Sequence, residues 1–239
     1  MSAKLKASVS MLALGVAMAS GSALAYQQGD IVLRAGAAMV DPDESSSTLR
    51  SSELGAVPGT GVEVDDNTQL GLTGLYMVSN NVGIELLAAT PFSHTVTATG
   101  MDIVGGALGT TLPYAVEVAD VKHLPPTLSV QYFPLSSDSA FQPYVGLGLN
   151  YTTFFDEEAT SLFESVVGQS SVKLEDSVGF AFQVGCDYAI SENLLINAAV
   201  WAIDIDTQAT IKTPSPAGTI KVDVDIDPYV YMVGLGYKF

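Results

Sequence analysis

The chain alternates most cleanly at its end. From Pro228 onward, Tyr229, Tyr231, Val233, Leu235, Tyr237 and Phe239 fall on one side of a period-two ribbon, with Val230, Met232, Gly234, Gly236 and Lys238 on the other. Bulky apolar groups face one way and small or polar groups the other. A bilayer leaves no solvent for unpaired backbone N–H and C=O groups, so β-structure spans it only as a closed cylinder, apolar outside and small or polar inside. The last ribbon fits the closing strand of such a barrel.

Seven earlier segments repeat the pattern. Ile31, Leu33, Ala35, Ala37 and Met39 share a face opposite Val32, Arg34, Gly36 and Ala38, and Arg34 marks that second face as the interior. A second strand, about 68–79, carries Leu70, Leu72 and Tyr76 and ends at the turn pair Asn80-Asn81. In the third, Glu85 fixes the phase, because a carboxylate facing lipid is costly; it points inward and takes Leu87 with it. The fourth contains Lys122, His123 and the pair Pro125-Pro126, tolerable at a barrel rim or bulge, and continues through Leu128, Val130 and Tyr132. A fifth sets Val145, Leu147, Leu149 and Tyr151 against Gly146, Gly148, Asn150 and Thr152. The sixth sets Val178, Phe180, Phe182, Val184, Cys186 and Tyr188 outward, with Ser177, Gly179, Ala181, Gln183, Gly185 and Asp187 inward. In the seventh, Asn197 puts its own row, including Ala199 and Trp201, inside.

Four longer segments separate these strands on one side. Residues 41–66 and the middle of 90–117 are expected as external loops. The third loop holds Asp156, Glu157 and Glu158 with a helical turn near 162–166, and the fourth, after Asp204 and Asp206, contains Pro214 and Pro216. The expected fold is all-β, an eight-stranded antiparallel transmembrane β-barrel with short periplasmic turns and long extracellular loops, too narrow for a wide aqueous pore.

Composition sharpens this picture in three places. Lys4 and Lys6, an apolar run over Met11–Met18 and the small-x-small site Ala23-Leu24-Ala25 give residues 1–25 the form of a secretory signal peptide, leaving 26–239 as one barrel domain. The formal charge of −17 becomes −19 once Lys4 and Lys6 are set aside, which excludes nucleic acid as a partner. Cys186, the one cysteine, alternates in phase with apolar neighbours and suits a small buried or lipid-facing residue, so no disulfide or cysteine metal site is available.

Several segments together resemble the OmpW/AlkL family of outer-membrane barrels: Thr68–Thr73 (TQLGLT), Gly83–Phe92 (GIELLAATPF), His123–Leu128 (HLPPTL), Pro143–Gly146 (PYVG), Asn150–Asp156 (NYTTFFD), Val200–Trp201, Asp204–Thr207 (DIDT) and Asp227–Val230 (DPYV). The resemblance implies residence in the outer membrane of a Gram-negative bacterium, among lipid and lipopolysaccharide. It also implies passive uptake of small hydrophobic molecules through a narrow apolar lumen with a lateral exit to the bilayer. Leu87 and Trp201 then match the family's channel constriction, although two inward apolar residues also simply fill a small lumen. Arg34, Glu85 and Lys122, with Gln183 and Asn197, form the polar and charged lumen set. An internal salt-bridge network holding the barrel is preferred for the three charges over a role in transport. Phe239 is the expected handle for the barrel-assembly machinery. The alternative is a barrel that serves its loops, as a surface receptor, an adhesin or a structural stress-response protein.

Catalytic chemistry is not expected. His94 and His123 flank the second loop with no matched nucleophile, and are the two groups that could meet across the barrel mouth at a metal. The acidic runs Asp41/Asp43/Glu44, Asp65/Asp66 and Asp223/Asp225/Asp227 lack the spacing of a calcium loop and suit solvated faces. No cofactor is implied.

Overall fold

A computed structural model describes residues 26–136 and 139–239; the signal-peptide reading of 1–25 lies outside the described residues. The chain forms β1 Ile31–Asp41, β2 Ser45–Ser46, β3 Arg50–Ser51, β4 Gly55–Ala56, β5 Gly61–Val64, β6 Asn67–Met77, β7 Val82–Ala89 and β8 Phe92–Thr99. Helix α1 Met101–Leu108 leads to β9 Ala115–Leu124, β10 Thr127–Tyr132 and β11 Phe141–Ala159, and α2 Ser161–Val167 to β12 Ser171–Leu174 and β13 Ser177–Ala189. The remainder is β14 Leu194–Ile203, β15 Asp206–Lys212, β16 Thr219–Asp225 and β17 Tyr229–Lys238.

Eight of these close on themselves, all antiparallel, in the order β1-β6-β7-β10-β11-β13-β14-β17 and back to β1. Their outward rows are the bulky apolar residues expected from the alternation, and those residues stand in the open: Val178 is 73%, Phe180 66% and Leu147 62% exposed. Such a surface is stable only against acyl chains. Tyr76, Tyr132, Phe141, Tyr237 and Phe239 ring the periplasmic rim; Tyr151, Tyr229 and Tyr231 stand at the other, where amphipathic rings meet headgroups. The inward rows predicted for Arg34, Glu85, Gln183 and Asn197 are all buried.

Above this ring the wall continues. The upper half of the long β11 leaves β10 and pairs with β9, then β8 and β5, while β12, β15, β16 and the short β2, β3 and β4 form a second sheet. The predicted loops carry strands of their own: β2–β5 lie in 41–66, β8 and the first residues of β9 in 90–117 on either side of α1, β12 in the third, and the hairpin β15–β16 in the fourth. The short helix near 162–166 is present as α2, capped where Thr160 Oγ1 accepts from the Phe163 N–H at 3.2 Å. In these extensions the alternation runs the other way. On β16, Ile220, Val222 and Val224 are buried while Lys221, Asp223 and Asp225 are exposed.

Lys122 corrects the predicted lumen set. It belongs to β9, above the ring, where Val121 and His123 face in; its side chain is 46% exposed and its Nζ lies 3.1 Å from the Asp156 carboxylate, outside the wall. Water, not lipid, bathes that face, so a lysine there carries no penalty for pointing outward.

Candidate functional site: a polar plug beneath an apolar chamber

The interior has two storeys. In the lower one Arg34 is fully enclosed. Its guanidinium meets the Glu85 carboxylate at 2.6 Å and Asp187 at 2.5 Å, the second contact bidentate through Nε at 3.1 Å. Tyr26 donates to Asp187 at 2.5 Å, Asn197 donates to Asp187 at 2.8 Å and to the Tyr144 hydroxyl at 2.9 Å, and Gln183 donates to Glu85 at 3.0 Å and accepts from Gln131 at 2.9 Å. The bare inward positions make room for these groups. A Cβ on Gly236 would stand 3.1 Å from Arg34 Cγ, one on Gly146 2.8 Å from Gln183 Oε1, and one on Gly185 2.5 Å from the Tyr144 ring. Tyr144 in turn lies under the guanidinium at 5.4 Å and against Phe133 at 5.1 Å. A buried cation with two carboxylates and a full set of donors is held far more firmly than a single pair.

Leu87 and Trp201 lie farther along their strands, Leu87 one inward position past Glu85 and Trp201 two past Asn197. Both are buried, at 4% and 0% exposure, and the indole N–H has no hydrogen-bond partner. The inward phase predicted for both is what the structure shows. Neither lines the open space above; they sit below it, next to the plug.

The upper storey is hollow. Its space is partly open to solvent, and its wall is Val, Ile, Leu, Ala, Met, Phe and Pro, from Val40, Val62 and Val96 round to Ile220, Val222 and Ile226. Three polar side chains interrupt that wall: Thr207, which donates to the Glu175 carbonyl at 2.7 Å, and the pair His94 and His123. The histidines do meet, on adjacent strands β8 and β9, Nε2 to Nε2 at 3.0 Å. Among the described residues, no third metal-capable group joins them. Burial lowers both imidazoles from the ordinary histidine value, His123 to about 3, so both are neutral at physiological pH.

The strand that carries His123 ends in a kink. Pairing between β7 and β10 stops at Leu87 opposite Thr127, and pairing between β8 and β9 begins at Phe92 opposite His123; Pro91, Pro125 and Pro126 occupy the gap. Asn150 repairs part of it by donating to the Pro125 carbonyl at 3.1 Å and to Thr127 Oγ1 at 3.0 Å, and Phe154 packs on the His123 ring at 5.9 Å. The HLPPTL and NYTTFFD segments thus meet at the junction of the two storeys.

Elsewhere, Asp204, Asp206 and Asp227 bring one oxygen each within 4.8 Å of one another on the exposed outer face, with Asp227 at φ 38°. Four residues of the plug, Asp187, Tyr26, Tyr144 and Gln131, were not among the candidates. Asp187 was visible as the one acid in the inward row of the sixth strand, and needed only a partner for Arg34. Tyr26 left no trace, because it precedes the first strand and its contact spans 161 residues.

A family model described as the OmpW family matches residues 27–239. Outer membrane protein W of Vibrio cholerae serotype O1 is 42% identical over 235 residues, 98% of this chain and all of that one. Outer membrane protein AlkL of Ectopseudomonas oleovorans is 28% identical over 90% of this chain and 84% of its own length. The crystal structure of OprG from Pseudomonas aeruginosa superposes with a TM-score of 0.82 at 47% identity, covering 90% of this chain and 98% of that one.

Proposed function

The chain belongs to the OmpW family of Gram-negative outer-membrane barrels, and on that premise we propose that it takes up small hydrophobic molecules passively, receiving them in the apolar chamber and releasing them sideways into the bilayer. The observation that carries the reading is the order of the two storeys. A hollow apolar space lies on the extracellular side of a plug that is polar, charged and packed. An apolar solute gains by entering the first and would lose by entering the second, since displacing a satisfied Arg34 network costs several kcal/mol (about 3–5). Its way onward is through the wall, which is weakest where the ladder lapses at Pro91 and Pro125-Pro126. Leu87 and Trp201 lie below the chamber wall, at the head of the packed plug that turns the solute outward. Phe239 remains the proposed contact for the assembly machinery.

Entry of pyrene into cells with a lipopolysaccharide outer leaflet, with and without the protein, tests this. Expression of the native chain is expected to speed entry severalfold. Ala209→Trp, which fills the chamber from β15, is expected to return it to background while heat-modifiable gel mobility shows a folded barrel. Uptake equal in all three would direct attention to the loops as a surface receptor.

A further inference from the structure

Granted the uptake role proposed above, we infer that the His94–His123 pair is the head-group site of the chamber and selects, among apolar solutes, those carrying one hydrogen-bond donor: long-chain alcohols, phenols and un-ionised fatty acids. The reason is a count of donors and acceptors. His94 Nδ1 lies 2.6 Å from the Asp65 backbone carbonyl, which can only accept, so this nitrogen carries the His94 proton. A neutral His94 then presents a bare Nε2, and the 3.0 Å contact requires His123 to donate to it from its own Nε2. That uses the single proton of a neutral His123 and leaves its Nδ1 as a lone pair, buried and without any partner in the protein.

The surplus does not depend on how the rings turn. Two neutral imidazoles offer two N–H groups and two lone pairs; the Asp65 carbonyl takes one N–H, the ring-to-ring bond takes the other N–H and one lone pair, and one acceptor is left over. The Asp65 end is fixed, because that residue's carboxylate accepts from the Thr95 N–H at 2.6 Å. The His123 ring is held between Phe92, at 5.4 Å between centroids, and Phe154. The third polar group of the wall, Thr207, already spends its hydrogen on Glu175. An unpaired buried acceptor is a standing penalty that a ligand O–H or N–H removes and that an ether, an ester or an alkane does not. An ionised carboxylate would bring a second acceptor and its own desolvation cost, so the acid is taken protonated.

The sequence contains two histidines, so untagged protein with ring-¹⁵N histidine in nanodiscs gives four ring nitrogen signals. Titration with 1-decanol and with decyl methyl ether separates the possibilities. The ring C–H signals report occupancy, and the non-protonated His123 Nδ1 signal reports the hydrogen bond. Decanol is expected to move the Nδ1 signal upfield and to bind about tenfold more tightly than the ether, the difference one satisfied acceptor makes. His123→Phe alone would bare the His94 Nε2 lone pair, so the double variant His94→Phe/His123→Phe is the one expected to bring decanol to the affinity of the ether. Equal binding of both with an unmoved Nδ1 signal would overturn the donor preference while leaving apolar uptake standing. Binding of neither would remove the uptake reading and this one together.

Discussion

The two storeys of this barrel use one backbone pattern for opposite ends. In the membrane ring, apolar side chains point out and the enclosed side is glycine, alanine, amide and charge, closed around Arg34. Above the kink at Pro125-Pro126 the same period-two alternation sends valine, isoleucine and leucine inward and acids outward, around a space left hollow. The solvent outside decides the difference. Lipid accepts the bulky row and water accepts the acidic one, and each leaves the opposite row to face the lumen. The lower lumen becomes a polar solid because its charges pair and most of its polar groups bond one another, Asn197 Oδ1, Gln131 Oε1 and the Trp201 N–H excepted. The upper becomes a cavity because aliphatic walls at barrel diameter cannot meet in the middle.

The largest effect expected of this contrast is on the plug. Arg34→Met leaves Glu85 and Asp187 enclosed without their cation, a loss of about 3–5 kcal/mol. Urea unfolding in lipid vesicles can follow it through the one tryptophan, Trp201, which sits beside the network. Adding Glu85→Gln and Asp187→Asn to Arg34→Met removes the stranded charges and is expected to restore most of the stability. A triple variant as weak as the single one would mean that the guanidinium acts by packing, and the lower storey would no longer differ from the upper in kind.

A smaller effect is expected above. The folded chamber holds His123 neutral down to about pH 3, whereas an unfolded histidine takes up a proton near 6.5. Between those values the unfolded wall binds more protons than the folded one, so the stability of the β8–β9 wall is whole above pH 6.5 and declines as pH falls toward 3. At pH 4.5 the deficit is about 3 kcal/mol. Asp65 and Asp66, which face His94, act in the opposite sense there, and His94 itself adds to the depression at His123. Hydrogen exchange in β8 and β9, referred to ring amides in β13 and β14 and corrected for the intrinsic pH dependence, reads it directly. His123→Phe is expected to flatten the dependence.

How far the fold could be seen in the sequence follows the same division. The eight ring strands and their phases were legible because each inward row carries a marker that lipid forbids, such as Arg34, Glu85, Gln183, Asp187 or Asn197, against a long bulky row. The extensions read as loops because their outward rows are acid and hydroxyl, as loop residues are, and their inward rows are short; Val222 and Val224 alternate with Asp223 and Asp225 as cleanly as any ring strand, but in the sense of a soluble sheet. The meeting of His94 with His123 across paired strands was open to sequence reading only as a possibility, since it depends on the register of β8 with β9. The hollow itself has no sequence marker, because an aliphatic row looks the same whether it packs or lines a space.

Lys122 gives the smallest effect and the sharpest check on where one storey ends. Placed in the lumen by the rule that charge points inward, it would be a buried cation whose loss strands a carboxylate, with a cost on the scale of Arg34. Placed on the outer face of β9, it is half of an exposed pair with Asp156, 3.1 Å apart and open to screening. Exposed pairs contribute at most about 1 kcal/mol. Lys122→Ala is therefore expected to leave the urea midpoint nearly unchanged, and raising the salt concentration should erase what little difference remains. The residue next to it, His123, faces the chamber, and Thr127, four further on, already faces the membrane lumen. A lysine that behaved like Arg34 would move the boundary between polar and apolar interiors up past Pro125-Pro126; one that behaves like a surface residue fixes it at the prolines, where the ladder lapses and the proposed lateral route leaves the barrel.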